Sequence, residues 1–167
     1  PMLIDQTLLP ATLVSVRCTS LDDVVRAIRT MQVRGAPAIG VTAAYGMALA
    51  AQLSRADAAA SLLDELRRAK VALDAARPTA INLAWATQRM LQVAERASAL
   101  PIDQLRERLL GEAEAIRDED EAMCRAIGQH GAALLTEHRN ILTHCNAGGL
   151  ATAAYGTALA PIRTAHE

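Results

Sequence analysis

The chain has 167 residues, 51% of them hydrophobic, enough for one cored domain or for one domain and a piece of a second. Only 2% are aromatic and there is no Phe, so Ala, Leu, Val, Ile and Met must fill the core, and no platform for stacking bases is on offer. Lys+Arg total 17 against 18 Asp+Glu, a net charge of -1, so the basic excess that a nucleic-acid partner requires is missing.

The three cysteines, Cys18, Cys124 and Cys145, are odd in number and widely spaced, and they form no CxxC. This pattern suits a reducing cytoplasm better than a disulfide framework. The four His and three Cys show no metal-ligand spacing. The N-terminus lacks the basic and apolar regions of a signal peptide, and Pro1-Met2-Leu3-Ile4 reads as the continuation of an earlier segment.

In chain order, Leu3–Leu8 and Thr12–Arg17 read as two short strands around a turn at Pro10-Ala11, a small hairpin. Ser20 is an N-cap with Asp23 three residues on, and Leu21, Val24, Val25, Ile28 and Met31 mark an amphipathic helix to about Val33. Pro37 starts a second helix, about 37–53, that is apolar nearly all round. Its length tempts a membrane assignment, but Ala and Gly dominate it, and a buried central helix is the better reading.

A third helix is expected over 56–75, its charges Asp64, Glu65, Arg67, Arg68 and Lys70 on one side. Thr79 or Asn82 caps a fourth through about Ala97, with Trp85 and Met90 read as core. A fifth runs over about 102–127, with a bend expected near Gly111, stops or kinks at Gly128 and Gly131, and a short helical piece to Glu137. Glu119, Asp120 and Glu121 read as a solvated face of that helix. After Asn140 the pattern changes. Ile141–His144 is a buried-strand candidate, Cys145–Gly149 a tight loop, and Leu150–Leu159 a helix: the unit of a parallel α/β sheet. The fold class expected is therefore mainly α. Residues 1–137 form a helical N-terminal domain with a small β hairpin, and 138–167 begin a truncated Rossmann-like domain.

Three stretches can carry chemistry. In Arg34-Gly35-Ala36-Pro37 an arginine precedes a helix start, where exposed N–H groups and the helix dipole suit an anion. Arg34 can fork onto phosphate or carboxylate oxygens. Arg77-Pro78-Thr79 repeats the arrangement, and two copies in one small chain fit a shared anionic ligand. Each copy alone reads more readily as an ordinary helix corner with a solvated arginine. In Thr143-His144-Cys145-Asn146-Ala147-Gly148-Gly149 the cysteine stands where a strand would give way to a loop and helix. Ligands bind at such carboxyl ends, and a thiol near a helix start becomes reactive. A buried structural cysteine is the alternative. His144 points to the opposite face of a strand and reads as supporting. Cys18 and Cys124 read as packing residues.

Together, Arg34–Gly40, Arg77–Leu83, Thr143–Gly149 and the opening Leu3–Pro10 resemble the methylthioribose-1-phosphate isomerases, relatives of the regulatory subunits of translation initiation factor 2B. The order and spacing agree over nearly the whole chain. The resemblance implies a helical domain joined to a Rossmann-like one, and an aldose–ketose isomerisation of 5-methylthioribose 1-phosphate in methionine salvage. It implies a sugar-phosphate substrate, no cofactor, no metal, a cytoplasmic location, no membrane, and a homodimer at full length. Arg34, Gly35, Ala36 and Arg77 would hold the substrate, chiefly its phosphate, and Cys145 would be catalytic. The family's acid, an Asp, would lie beyond Glu167, so this stretch alone is expected not to turn over. Two alternatives stand beside it: a ribose-1,5-bisphosphate isomerase, and a non-enzymatic regulatory subunit.

Overall fold

A computed structural model describes residues 1–135 and 140–167. Strands β1 (Met2–Ile4) and β2 (Ser15–Arg17) pair antiparallel, Leu3 opposite Val16. They are shorter than the alternation predicts. The Asp5 amide still donates to the Val14 carbonyl at 2.9 Å, but the chain turns beyond it: Asp5 Oδ1 accepts from the Thr7 amide at 3.0 Å and the Thr7 hydroxyl at 2.6 Å, while Oδ2 takes Gln32 Nε2 at 2.8 Å. A short Asp side chain that binds the backbone two residues on turns the chain out of a strand.

Helix α1 (Leu21–Arg29) carries the expected capping box between Ser20 and Asp23. It ends earlier than the apolar spacing suggests. Met31 takes φ 63°, and its side chain lies exposed outside the helix. Helix α2 (Ala36–Leu53) is long and apolar enough to cross a membrane, but here it is the central helix of a bundle. It packs against α1, α3 (Ala59–Asp74), α4 (Ile81–Arg96) and α5 (Ile102–Ala132). Ala43, Ala44, Met47 and Ala51 are fully buried. Small side chains let neighbouring helices approach closely. A Cβ on Gly40 would lie 3.0 Å from the Asn82 carbonyl, so the first turns of α2 and α4 touch.

One face of α3 enters the core through Leu62, Leu66, Ala69 and Leu73; Asp64, Arg67 and Arg68 are exposed, while Glu65 and Lys70 are half-buried, Lys70 pairing with Asp74. Leu66 is 0% exposed and Val71 is 69% exposed. Leu66→Ala is therefore expected to cost about 2–5 kcal/mol in urea unfolding. Val71→Ala, on the same helix, changes stability by no more than about 0.5 kcal/mol. Equal losses from the two would mean that the helix is rotated.

Helix α5 is one continuous element of 31 residues that runs through Gly111, Gly128 and Gly131 without stopping. Its stripe of Leu105, Leu109, Ala113 and Ile116 anchors it to the core, which outweighs about 1 kcal/mol per interior glycine. Gly128 and Gly131 have a packing role. A Cβ at either would collide with helix α6 (Ala160–His166), on Thr164 and Pro161 respectively. The helical piece expected to Glu137 and the domain boundary at 137/138 lie outside the described residues at that junction.

The expected strand at Ile141–His144 and helix at Leu150–Leu159 do not form. A parallel strand exists only as a ladder partner, and among the described residues none runs beside 141–144. The expected helix is interrupted by left-handed backbone at Tyr155 (φ 74°) and Gly156 (φ 96°). Instead, Gly149–Ala151 makes one 3₁₀ turn, and α6 begins where Pro161 occupies its first turn. Tyr155 and Ala160 pack on Cys124 of α5 in a small second core.

Candidate functional site

The two arginine-preceded helix starts survive into the structure and lie side by side. α2 begins behind Gly35 and α4 behind Ala80, and neither start has a side-chain cap or an acidic residue in its first turn. The caps expected from Thr79 or Asn82 are not made. The chain instead turns through Arg77 and Pro78, with the Ala80 amide donating to the Arg77 carbonyl at 3.0 Å. Free N–H groups at such starts carry the positive end of the helix dipole. Arg34 is exposed and Arg77 half-buried, and among the described residues neither guanidinium has a carboxylate partner. By contrast, Arg89, Arg106 and Arg125 are each held by acidic side chains.

Between the starts opens a cleft of about 410 Å³. Pro37, Gly40 and Val41 line it from α2, Ile81, Asn82 and Trp85 from α4, and Ile116, Asp120 and Met123 from α5. Ile81, Trp85 and Met123 are 82%, 50% and 61% exposed, an apolar wall open to solvent. Trp85 is therefore not core, contrary to expectation; Met90, one turn on, is. Arg89 orders the rim. Its guanidinium sits 5.5 Å from the Trp85 ring centroid, holds Glu119 with two nitrogens, and gives Nε to buried Glu112 at 2.6 Å.

Asp120 departs from the solvated triplet expected at 119–121. Glu119 and Glu121 are ion-paired, with Arg89 and Arg125. Asp120 is half-buried, and its Oδ2 accepts the Ala153 amide at 2.7 Å. Burial pushes its carboxyl above the usual range, while that hydrogen bond pulls it back. The sequence held one sign of this. Asp120 lies four residues from both Ile116 and Cys124, on the buried stripe of α5.

Cys145 is exposed, with φ 66°, in the loop between 140 and the 3₁₀ turn; His144 beside it is exposed too. A non-glycine residue held at positive φ is strained by about 1–3 kcal/mol, a state found most often at functional positions. Cys145 lines neither this cleft nor the neighbouring one of about 490 Å³ beside β1. The loop nonetheless reaches the α2 start. Gly35 (φ 104°) is so close to Ala151 that a Cβ there would lie 2.6 Å from its Cβ and carbonyl oxygen. The structure thus joins Arg34, Gly35 and Ala36 with the segment following Cys145, and sets Arg77 at the adjacent helix start. Among the described residues no hydrogen bond joins Cys145 to either arginine. Cys18 and Cys124 are buried, as packing residues should be, and burial pushes both thiols up. Among the described residues no cluster of His, Cys, Asp and Glu could hold a metal.

The sequence profile of the initiation factor 2 subunit family matches residues 32–167. The chain belongs to the initiation factor 2 subunit family. Within that family it is 73% identical, over its whole length, to a methylthioribose-1-phosphate isomerase of Herpetosiphon aurantiacus, of which it covers 47%. It is 54% identical over 97% of its length to a 5-deoxyribose 1-phosphate isomerase of Moorella thermoacetica, covering 46%. Among solved structures it resembles the 5-methylthioribose 1-phosphate isomerase of Pyrococcus horikoshii OT3, with TM-score 0.93 and 41% identity over 99% of the chain and 46% of that protein. It also resembles a structure described as translation initiation factor eIF-2B subunit delta of A. fulgidus, with TM-score 0.89 and 39% identity over 99% of the chain and 48% of that protein. The chain spans about half the length of the curated relatives it matches. The helical bundle with its two-stranded sheet is thus this family's N-terminal architecture.

Proposed function

We propose that these residues form the helical part, and one side of the active site, of an aldose–ketose isomerase converting 5-methylthioribose 1-phosphate to 5-methylthioribulose 1-phosphate. The observation that carries this reading is the pair of uncapped helix starts, each behind an arginine that has no acidic partner among the described residues, beside a cleft with an apolar wall. The substrate has the matching halves: a phosphate for the helix starts and a methylthio group for Ile81, Trp85 and Met123. The names of the isomerases at 73% and 54% identity support the same substrate class, since a 5-methylthio and a 5-deoxy sugar phosphate are both apolar at C5.

In this proposal Arg34, Gly35, Ala36 and Arg77 bind the substrate, chiefly its phosphate. Cys145 assists the transfer of hydrogen between C1 and C2, a step that leaves the molecular formula unchanged and draws on no cofactor. The C1 phosphate blocks simple ring opening, so an acid must help, and we place that acid in the family's C-terminal half. Residues 138–167 begin a Rossmann-like domain, whose strand and helix form when neighbouring strands complete the sheet. The protein works in the cytoplasm as a homodimer, with no membrane or nucleic-acid partner. The similarity to a structure described as an initiation-factor subunit keeps a regulatory, non-enzymatic role as the second reading.

The test is the steady-state rate with 5-methylthioribose 1-phosphate in the protein at the full length of its relatives. Arg34→Ala and Arg77→Ala should each raise KM by roughly 10- to 100-fold, as expected for the loss of a charged hydrogen bond of about 1.5–3 kcal/mol. Lys at either position should restore only part of the loss, because its point charge lacks the two-nitrogen fork. Unchanged KM in both alanine variants would remove the phosphate from these helix starts.

A further inference from the structure

The segment that follows Cys145 is held at three nearly consecutive residues by three separate elements. Leu150 is held from the N-terminal segment: Gln6 Nε2 donates to the Leu150 carbonyl at 2.7 Å and to the Arg34 carbonyl at 3.5 Å. Ala151 rests on Gly35 at the start of α2. Ala153 is held from α5, its amide donating to Asp120 Oδ2 at 2.7 Å. Gln6 is 5% exposed, so its amide is committed to the interior. Two carbonyls facing one amide group fix its orientation, because only the NH₂ end can serve both. Between these anchors and the cysteine the loop is tied to itself. The Thr157 and Leu159 amides donate to the Ala147 carbonyl, two residues after Cys145, and the Thr152 hydroxyl accepts from the Gly156 amide.

We propose that Gln6 and Asp120 are positioning residues which clasp the 150–153 segment from opposite sides, and so fix the Cys145 loop against the Arg34 helix start. Gln6 does not line the cleft between the helix starts, and Asp120, at its wall, commits Oδ2 to the Ala153 amide. Gln6 links the backbone of Arg34 directly to the segment after the cysteine, so the two parts of the proposed site share one hydrogen-bonding side chain. Asp120 supplies the opposing pull from a helix anchored in the main core. Losing either hold lets the loop shift. Misplacing a reacting group by about 1 Å costs on the order of 100-fold in rate while leaving the phosphate contacts in place.

This inference rests on the proposed isomerase reading, and two measurements on the full-length protein keep their failures apart. In kinetics with 5-methylthioribose 1-phosphate, Gln6→Ala and Asp120→Ala should each lower kcat by roughly 10- to 100-fold with KM changed by less than about threefold. Asp120→Asn keeps an acceptor oxygen for the Ala153 amide and should retain kcat within about threefold of wild type. The Gln6→Ala/Asp120→Ala protein should be no slower than the worse single variant by more than about threefold, because both act on one segment. Wild-type kcat in both alanine variants, or an Asn variant as slow as the Ala variant, would overturn the clasp. The second measurement is hydrogen exchange at the Ala153 amide, which needs no activity. Protection lost in Asp120→Ala and kept in Asp120→Asn supports the clasp even if the unmutated protein isomerises nothing; equal exchange in all three proteins rejects it.

Discussion

Cys145→Ser in the full-length protein is expected to lower kcat for 5-methylthioribose 1-phosphate by at least about 100-fold, the range of a lost acid–base group. The melting temperature should move by less than about 2 °C, because an exposed loop side chain away from caps and cores contributes within about 0.5 kcal/mol. The structure gives reasons for expecting both halves. The thiol is exposed and belongs to neither buried cluster, so no core energy leaves with it. Its backbone at φ 66° is strained for any residue with a Cβ, and Ser inherits that strain unchanged. Cys145→Gly adds a sharper contrast. Glycine accepts positive φ without penalty, so this variant should fold at least as stably as Cys145→Ser and be equally inactive. Strain retained at a residue whose removal harms only activity is the mark of a functional position. Full activity in Cys145→Ser would take the cysteine out of the mechanism.

Gly35→Ala is the second large effect, and it acts on backbone. At φ 104° an L-residue is strained by about 1–3 kcal/mol before any contact is considered. The new Cβ would then lie 2.6 Å from the Ala151 carbonyl oxygen. A main-chain neighbour cannot swing aside as a long side chain can, so the α2 start and the 149–151 turn must separate. Urea unfolding should register a loss of at least about 2 kcal/mol, from strain and overlap together. kcat/KM should fall by at least about tenfold, because the displaced segment carries the Cys145 loop. Gly111→Ala is the control: it lies within α5 with nothing within 4 Å of the added Cβ. There Ala should stabilise by about 0.5–1 kcal/mol and leave kinetics alone. A Gly35→Ala protein as stable as wild type would mean that the two segments do not meet.

Much of the bundle was legible because local signals agreed with burial. The Ser20–Asp23 capping box, the all-round apolar Ala36–Leu53 and the one-sided charges of α3 each specify an element without help from afar. Residues 141–159 were not legible in the same way. An apolar run such as Ile141-Leu142 becomes a strand only beside other strands, and sequence periodicity is silent on whether they are present. Gly128 and Gly131 read as helix breakers because propensity was weighed without the helix α6 that packs on them. Asp120 was hidden among charged neighbours, and its position on the Ile116–Cys124 stripe was the only local sign of its role. Of the site, the two arginine-preceded helix starts were legible in sequence, since Pro37 and Pro78 announce them. Their side-by-side placement, and the Trp85–Met123 wall between them, depend on how α2, α4 and α5 pack.

The measurement closest to the central claim is the isomerisation rate of this 167-residue chain with 5-methylthioribose 1-phosphate, beside the same protein at the full length of its relatives. The proposal predicts turnover by the longer protein alone, with the shorter one slower by roughly 100- to 10,000-fold, the contribution of a missing general acid. Equal rates would contradict the placement of that acid outside these residues. No turnover by either would contradict the isomerase reading itself.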